Sequence, residues 1–589
     1  MTSSTLVGQA VVAQLRLRSG SWRALIRTGA ASAVWVLVAA MLVLPIGMFL
    51  AVAVSPRLLG QGDQWFTLAP FAQVLSPTLV PALLDSVGVG LAAAVGAVLV
   101  GGAMAWLDQR TDLPGRRMWA AMMFSLMLAP SYLIALGWER LLEPAGVLDV
   151  LGLHAGWLRG HFYGPLGVSV VLGVKGLPFA YLAIAGALRG LGDEFEDAAR
   201  VHGGSALTAL RVSASLLSPA LWSAFAIVFA ESVSDFGVAD TLAHDAHFPV
   251  LTYTLFTAID AFPVDFPVAA AIGWVLLVLA GLAILAQNLA MRGRAYQVLG
   301  GRTRQVRRRH LGVLPRGVAL GGAALVAAVG VGVPLLGALA ASLFVGMGTL
   351  TATPTLTLDN YRRVIESPAL HGPLAYSAGM AVLTAFLAVG LGLVCARSLS
   401  RGQHRVSGRV LDLLLLTAVA LPGIVFAAGY IFAYNLPLLN RLGIHLYGTS
   451  ALLLLGYVAT ALPSSARLLV GSVAQVQASL GHAARVHGAG AARAWLSSSL
   501  PLLARPILNA WLLTFSATLL ELPVSQLLYP PGRPPVSVGI TKALSAYDLG
   551  GGTAMEVVSL ALVLAVLGAA RLGWQLLAPR GWKRIGEAR

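Results

Sequence analysis

Three acidic side chains stand inside long apolar runs of this sequence, where a charge is costly. Glu231 and Asp235 lie toward the end of one run, and Glu521 lies correspondingly in a later one. A carboxylate inside a membrane span costs about 2.5–3.5 kcal/mol on insertion scales and usually faces a cavity or a polar partner. Glu231 and Asp235 are four residues apart, which places them on one helical face. The three acids could line a path that tolerates a cation, or they could bond neighbouring helices near one membrane surface.

The sequence offers little for other chemistry. It has no G-x-x-x-x-G-K-[ST] segment that would cradle ATP phosphates, and no nucleophile beside a base. His244 and His247 flank Asp245, but a polar loop is the simpler explanation of this spacing than a metal site. The single cysteine, Cys395, permits neither an internal disulfide nor a thiolate cluster. We therefore predict no catalytic residue, no metal site and no cofactor in this chain.

A second candidate site is a phrase that occurs twice, AARVHG at Ala198–Gly203 and again at Ala483–Gly488. The copies are separated by nearly half of the chain, and each lies in a short polar interval between apolar runs. Paired alanines favour a helix and put no bulk on one face, so another protein can approach closely, while the glycine suits a helix end. The repeat predicts two docking helices. A remnant of duplication with only packing value is the alternative.

The composition places these candidates in a membrane protein. The chain of 589 residues is 57% hydrophobic and 11% charged, against about 25% charged in soluble domains. Twelve apolar runs are each long enough to cross a bilayer at about 20 residues per span. They are Gly29–Val54, Pro81–Trp106, Met118–Trp138, Leu166–Leu188, Pro219–Val238, Phe266–Leu289, Val318–Val345, Leu374–Ala396, Leu411–Tyr434, Ser450–Val470, Pro506–Leu528 and Thr553–Leu577. We predict an all-α polytopic fold with twelve transmembrane helices.

The net charge of +16 indicates membrane orientation rather than nucleic-acid binding, because the arginines gather in alternate loops. The positive-inside rule then places both termini and both AARVHG segments in the cytoplasm. The predicted organisation is a basic N-terminal tail (1–28), a first six-helix half (29–290), a basic cytoplasmic linker (291–316), a second half (317–577) and a C-terminal tail (578–589). The linker arginines could bind anionic lipid or a partner, although a solvated linker explains them as well.

The two halves match at further points. LAPSYLIALGW (Leu128–Trp138) resembles ALPGIVFAAGY (Ala420–Tyr430), and Pro178 and Pro463 each precede the repeated phrase by the same interval. Phe225–Glu231 also mirrors Phe515–Glu521, which would make Glu231 and Glu521 equivalent. Because both halves begin on the same side of the membrane, they are predicted to be parallel copies with a path between them.

The repeated phrase resembles the cytoplasmic EAA motif of the fused-dimer permeases of binding-protein-dependent ABC importers, which reads Glu-Ala-Ala, three residues and Gly. The matching residues are Asp197, Ala198, Ala199 and Gly203 in the first copy, and Ala483, Ala484 and Gly488 in the second. His482 replaces the acid in the second copy, which nevertheless keeps the Leu-Pro ending of the motif at Leu500-Pro501. The resemblance implies that each helix seats in a cleft of an ATPase subunit.

Within this family the chain resembles the ferric-iron and thiamine permease branch. The likeness rests on AWLDQRTDLPGRR (Ala105–Arg117), LAPSYLIALGW, ESVSDFG (Glu231–Gly237) and ELPVSQLLYPPG (Glu521–Gly532). It implies a type I importer permease in a bacterial cytoplasmic membrane, served by an extracytoplasmic binding protein and by two ABC ATPases that hold ATP and Mg. Iron(III) is the expected substrate, with thiamine, polyamines and phosphonates as alternatives.

Two other classes of protein stay open on the sequence. A proton-coupled secondary transporter can also have twelve spans in parallel halves, and DLPGRR (Asp112–Arg117) resembles a loop motif of that superfamily. Such a transporter does not need twin docking helices, however. A purely structural membrane scaffold is the third possibility.

Overall fold

A computed structural model describes residues 35–57, 60–153, 155–192, 194–291, 308–345, 355–402, 406–443 and 445–579. The predicted N-terminal tail, most of the linker and most of the C-terminal tail lie outside these residues, so the predicted domain boundaries stay predictions.

The described chain is almost entirely helical and repeats one order of helices. In the first half a π-helical turn (Ala39–Val43) precedes α1 (Leu44–Val52), α2 (Ala69–Val74), α3 (Val80–Arg110), α4 (Arg116–Leu128), α5 (Ser131–Leu142), α6 (Val147–Val150), α7 (Gly156–Phe162), α8 (Pro165–Gly190), α9 (Glu194–Val201), α10 (Ala206–Ser234), a π turn (Ala239–Ala243), α11 (Leu251–Asp260) and α12 (Phe266–Met291).

The second half follows the same plan. It has α13 (Val313–Ala327), a π turn (Ala328–Gly332), α14 (Val333–Ser342), a small antiparallel pair β1 (Phe344–Val345) and β2 (Thr355–Leu356), α15 (Asp359–Glu366), α16 (Pro368–Gly402), α17 (Val406–Ala420), α18 (Gly423–Tyr434), α19 (Pro437–Arg441), α20 (Ser450–Ala474), α21 (Ala478–Val486), α22 (Ala491–Ala494), a π turn (Trp495–Ser499), α23 (Leu500–Leu519), α24 (Pro523–Leu528), α25 (Val536–Ser545) and α26 (Leu549–Leu577).

Within the described residues, ten helical stretches are long and apolar enough to cross a membrane, and two bent pairs bring the number to twelve. The all-α, twelve-span prediction is therefore confirmed. The third and ninth spans each bend by about a right angle: 100° between α4 and α5, and 106° between α17 and α18.

The two bends have the same local cause. Pro130 and Pro422 stand at the start of α5 and α18, and a residue that precedes proline is disfavoured in helical conformation. Each bend exposes carbonyl groups that a continuous helix would have paired. In the first half Lys175 on α8 supplies the missing donors, since its Nζ lies 3.2 Å from the Met127 carbonyl oxygen and 2.7 Å from that of Ala129.

The first span of each half packs against the broken span of the other half. Both first spans contain a π turn, which leaves carbonyl groups without their regular helical partners. Across the interface, Tyr430 Oη donates to the Met41 carbonyl at 2.9 Å and Trp138 Nε1 donates to the Val329 carbonyl at 3.1 Å. Each broken helix thus satisfies the π turn of the opposite half.

Glycines allow these two crossings to be close. A Cβ on Gly137 of α5 would clash with the backbone of Pro334, and a Cβ on Gly429 of α18 would lie 2.9 Å from the Pro45 carbonyl oxygen. Pro334 and Pro45 are each the second residue after a π turn. Side chains larger than hydrogen at either glycine would force the two halves apart.

A polar clasp holds the described end of the linker against the first half. The loop between α3 and α4 forms a parallel β-bridge from Thr111 to Arg309. Asp112 accepts hydrogen bonds from the Leu311 amide (3.0 Å), His310 Nδ1 (2.8 Å) and Arg316 Nη2 (2.6 Å). The beginning of the second half is therefore fastened to the first half, so this end of the linker is not simply a solvated connection.

The backbone amide of Leu311, with the His310 hydrogen bond and the Arg316 charge, lowers the pKa of Asp112 below its usual value. Because the folded-state pKa is lowered, the stabilisation by this carboxylate is fully present above the unfolded value of about 3.9. It is lost as the pH falls through the folded-state pKa.

We expect Gly137→Leu to destabilise the protein by about 3 kcal/mol or more, because the side chain would meet the Pro334 backbone, which cannot rotate away. Gly379→Leu on α16 is the matched control, since nothing lies within 4 Å of the position of its Cβ. Thermal unfolding of the purified proteins compares the two. Equal midpoints would show that the crossing tolerates a side chain.

Lys175→Met keeps the length of the side chain but removes both hydrogen bonds at the α4–α5 bend. We expect a loss of roughly 2–4 kcal/mol in unfolding free energy, because two carbonyl groups lose a charged donor. Lys542→Met is the control, since this exposed lysine contacts the hydroxyl and the ring of Tyr529 and its loss should cost no more than about 1 kcal/mol. Similar losses in both variants would contradict the assigned role of Lys175.

Candidate functional site

The two AARVHG segments form equivalent short helices with the same C-terminal cap. They end α9 and α21, which we call the docking helices. The Gly204 amide bonds the Ala199 carbonyl at 2.8 Å, and the Ala489 amide bonds the Ala484 carbonyl at 3.0 Å. Gly203 and Gly488 have φ of +76° and +84°, a conformation that favours glycine. These are Schellman caps, and they explain why the glycine recurs in both copies.

The docking helices present the same residues outward. Ala198 and Ala483 are exposed, whereas Ala199 and Ala484 are half-buried. Asp197 and His482, which stand at the same helix position, are both exposed. The valine of the phrase has no cover in either copy, since Val201 and Val486 are 83% and 85% exposed. An apolar side chain left bare at two equivalent places is typical of a surface that a partner covers.

Asp235 and Glu521 occupy equivalent positions just beyond the ends of α10 and α23. Asp235 Oδ1 accepts the Val238 amide at 2.8 Å, and Glu521 Oε1 accepts the Val524 amide at 2.8 Å. In the first half Thr252 Oγ1 also donates to the Asp235 carbonyl, as Ser537 Oγ does to the Glu521 carbonyl. Both acids therefore cap the short helix that follows.

This equivalence corrects two expectations from the sequence. Glu521 is equivalent to Asp235 rather than to Glu231. Asp235 and Glu521 each accept a hydrogen bond from the backbone amide three residues later, whereas Glu231 lies within the helix. Glu231 and Asp235 also do not share a helical face, since α10 ends at Ser234 and Asp235 lies in the turn. Glu231 itself is exposed on α10, and its charge and that of Asp235 act on Lys175.

Sequence reasoning missed a buried charged cluster between the halves. Glu139, Arg140 and Glu143 lie at the end of α5, and Glu556 lies on α26. Arg140 pairs with Glu143 at 3.0 Å and approaches Glu139 at 3.8 Å. Glu139, Arg140 and Glu556 are 1%, 5% and 5% exposed. The sequence did contain two signals for this cluster. Glu139 and Arg140 directly follow the third apolar run, and Glu556 lies early in the twelfth.

The cluster is not internally satisfied. Glu139 Oε1, Glu556 Oε2 and the Tyr132 hydroxyl have no hydrogen-bond partner among the described residues, although all three are buried. The charges of Glu556 and Glu521 both act on Tyr132, and the neighbouring Ser131 bonds Asp235. Helix α5 therefore carries the Ser131 contact to Asp235 at its start, and Glu139 and Arg140 near its other end. We use the name central polar route for the buried cluster, the two capping acids and the side chains at the start of α5, namely Glu139, Arg140, Glu143, Glu556, Asp235, Glu521, Ser131 and Tyr132.

The polar loop after α10 contains no arrangement that resembles a metal site. The His244 ring packs on Tyr253 with centroids 4.8 Å apart. In the described part of the chain, no three His, Cys, Asp or Glu side chains converge as metal ligands would.

Comparisons with known proteins agree with the helical pattern. No family model matches the chain. It is 25% identical over 419 residues to the putative ferric transport system permease protein FbpB 1 of Haemophilus influenzae, covering 69% of this chain and 63% of that protein. It is also 25% identical over 446 residues to the probable ABC transporter permease protein y4fN of Sinorhizobium fredii, covering 74% and 77%. A sulfate transport system permease protein, CysT of Salmonella typhimurium, is 26% identical over 232 residues, 38% of this chain and 82% of that protein.

The match to the ferric relative spans less than two thirds of that protein's length. The three relatives are nevertheless all permease proteins. Two of the matches cover more than two thirds of this chain, and therefore include parts of both halves. Together with the many apolar helices, they make this chain a multi-pass protein of the inner membrane. The comparisons thus support a fused ABC importer permease with ferric transport permeases among its relatives, and a permease subunit is not itself an enzyme.

Proposed function

We propose that the chain is the membrane channel of an ATP-driven importer that passes a small cation, iron(III) in the first instance, from an extracytoplasmic binding protein to the cytoplasm. The observation that carries the proposal is the pair of docking helices. They share the AARVHG phrase, the Schellman cap and the exposed valine, at equivalent places in two halves. Two equivalent surfaces suit two copies of one partner, which in this proposal is an ATPase that binds ATP and Mg.

The docking helices are well placed to move the central polar route. In the first half α9 is followed at once by α10, a continuous helix of 29 residues that ends beside Asp235. At 1.5 Å per residue this helix is about 43 Å long, which suffices to cross the bilayer. A shift of α9 by the ATPase would therefore reach Glu231 and Asp235 as a rigid displacement. In the second half α23 likewise ends beside Glu521.

The charge of the central polar route favours a cation. Two carboxylates, Glu139 and Glu143, lie beside the Arg140 guanidinium, and the charge of the buried Glu556 also interacts with that of Arg140. The two capping acids, Asp235 and Glu521, add to this negative charge. The ammonium of Lys175 is already bonded to two backbone carbonyls. One relative is named as a sulfate transport permease, but an anion such as sulfate would meet mainly acidic side chains here. A cation gains from the same side chains.

The proposal includes an orientation. Arginine-rich loops and both docking helices would face the cytoplasm together with both termini, and the binding protein would deliver the substrate on the opposite side. The halves would then alternate between openings on the two sides, as expected for parallel repeats that rock about a central path. His482 in place of Asp197 would make the two ATPase contacts unequal in charge.

The docking surface can be tested with Val201→Asp combined with Val486→Asp. Because both side chains are more than four-fifths exposed, folding should be unchanged, while ATPase affinity should fall at least about tenfold through burial of two charges. Ile365→Asp is the control, an exposed apolar residue on α15 between two spans. Co-purification of the candidate ATPase is the measurement, with Gly203→Leu and Gly488→Leu as a second pair that disrupts the caps. Unchanged ATPase recovery in both double variants would refute the docking assignment.

The cation preference can be tested by uptake in proteoliposomes that contain this chain, its ATPase and its binding protein. Glu139→Gln with Glu556→Gln should lower ATP-dependent uptake of labelled iron(III) by about tenfold or more, because the buried negative charge is removed. Glu366→Gln, in an exposed pair with Arg362, should leave uptake unchanged. Normal iron(III) uptake by the double variant, or ATP-driven uptake of sulfate instead, would contradict a cation route. Uptake by the chain alone under a proton gradient would favour a secondary transporter.

A further inference from the structure

An apolar groove lies on the membrane surface of the first half. It encloses about 650 Å³ between α3, α8 and the second half's α13, within the roughly 300–1,000 Å³ of ligand pockets. Its rim includes Leu84, Leu166 and Leu325, which are 64%, 55% and 64% exposed. At membrane depth these side chains meet lipid tails rather than water. The groove thus opens to the bilayer.

Glycines on α3 and α8 create the groove. Gly88 and Gly96 lie along it on α3, and nothing is found within 4 Å of a Cβ built on either residue. Gly173 lines the facing helix α8. From Asp85 to Val100 the groove follows α3 for fifteen residues, or about 22 Å at 1.5 Å per residue. One leaflet of a ~30 Å hydrocarbon core is only ~15 Å deep, so the groove is long enough for an extended acyl chain.

One end of the groove carries a charge. Asp85 is half-buried among apolar lining residues, and it forms no hydrogen bond or ion pair with the described part of the chain. The only other polar lining side chain is Ser169. Asp85 lies five residues from the start of α3, about 8 Å along the helix, which is near the depth of lipid headgroups. At this depth a carboxylate gains from a cationic partner in the headgroup layer.

We propose that this groove binds a phospholipid whose acyl chain fills the glycine-lined floor and whose primary ammonium headgroup pairs with Asp85. The length and apolar lining of the groove suit an acyl chain, and the unpartnered Asp85 carboxylate suits an ammonium headgroup. Phosphatidylethanolamine has the required chemistry: its ammonium can donate hydrogen bonds to a carboxylate, whereas the trimethylated headgroup of phosphatidylcholine cannot.

The position of the groove ties the lipid to the contact between the halves. Leu325, Val326 and Val329 of the second half form one wall, and Val329 belongs to the π turn whose carbonyl accepts Trp138 Nε1. The lipid would therefore lie between the first span of the second half and the helices α3 and α8 of the first. A tail in this place fills space that the protein leaves open at the interface.

The experiment is native mass spectrometry of the full chain, purified from nanodiscs that contain equal phosphatidylethanolamine and phosphatidylcholine of matched tails. We expect retained phosphatidylethanolamine to exceed phosphatidylcholine by about tenfold, the value of one charge-assisted hydrogen bond. Asp85→Asn, which is close in size, should abolish this preference while leaving tail binding intact. Equal retention of the two lipids by the unaltered chain would overturn the headgroup assignment.

Filling the groove tests the tail. Gly88→Leu with Gly96→Leu should remove the retained lipid, because the new side chains occupy the floor, where nothing lies within 4 Å of either Cβ. Gly186→Leu with Gly281→Leu is the matched control, since both glycines lie in spans, have nothing within 4 Å of a Cβ and do not line the groove. If the groove variant and the control retain the same amount of lipid, the proposal is wrong. Neither outcome depends on ATPase docking or on the transported substrate.

Discussion

The structure depends on a reciprocal pair of hydrogen bonds between its halves, in which a side chain of each half donates to a backbone carbonyl of the other. A π turn in the first span of each half frees carbonyl groups, and a Trp or Tyr hydrogen bond from the other half's broken span satisfies one of them. In a bilayer no water can replace these partners, so losing one of these hydrogen bonds costs more free energy than it would in a soluble protein. Gly137 and Gly429 allow the approach that makes it possible. The helices of each half are therefore anchored by the other half.

This arrangement places the central polar route on the moving parts. The broken helix α5 holds the opposite half through Gly137 and Trp138, and it also carries Tyr132, Glu139 and Arg140. A displacement between the halves would therefore change the surroundings of the buried charges directly. Groups without partners in one arrangement can find them in another, which is a physical reason for unsatisfied buried atoms to persist in a transporter.

The halves share a backbone plan but differ in charge. Around the equivalent glycines, Glu139 and Arg140 of α5 correspond to Ile431 and Phe432 of α18, and Phe432 packs on Phe266 with ring centroids 5.5 Å apart. The acid of the first docking helix likewise has a histidine counterpart in the second. Duplication thus preserved the features that set helix geometry, namely glycine, proline and capping acids. The charged side chains diverged, so one half contributes most of the polar route.

Much of this protein could be predicted from the sequence alone. Apolar runs of span length, the repeated AARVHG and the paired prolines determined the twelve spans, the duplication and the two exposed helices, because hydrophobic length and helix caps are local properties. Only the tertiary structure showed that Asp235, not Glu231, is the equivalent of Glu521, since that depends on where a helix ends. The same is true of the cluster that joins Glu139 and Arg140 to Glu556, residues hundreds of positions apart. Hydropathy reports how long a helix is, but which helices meet across the halves is decided by glycine contacts and unpaired carbonyls.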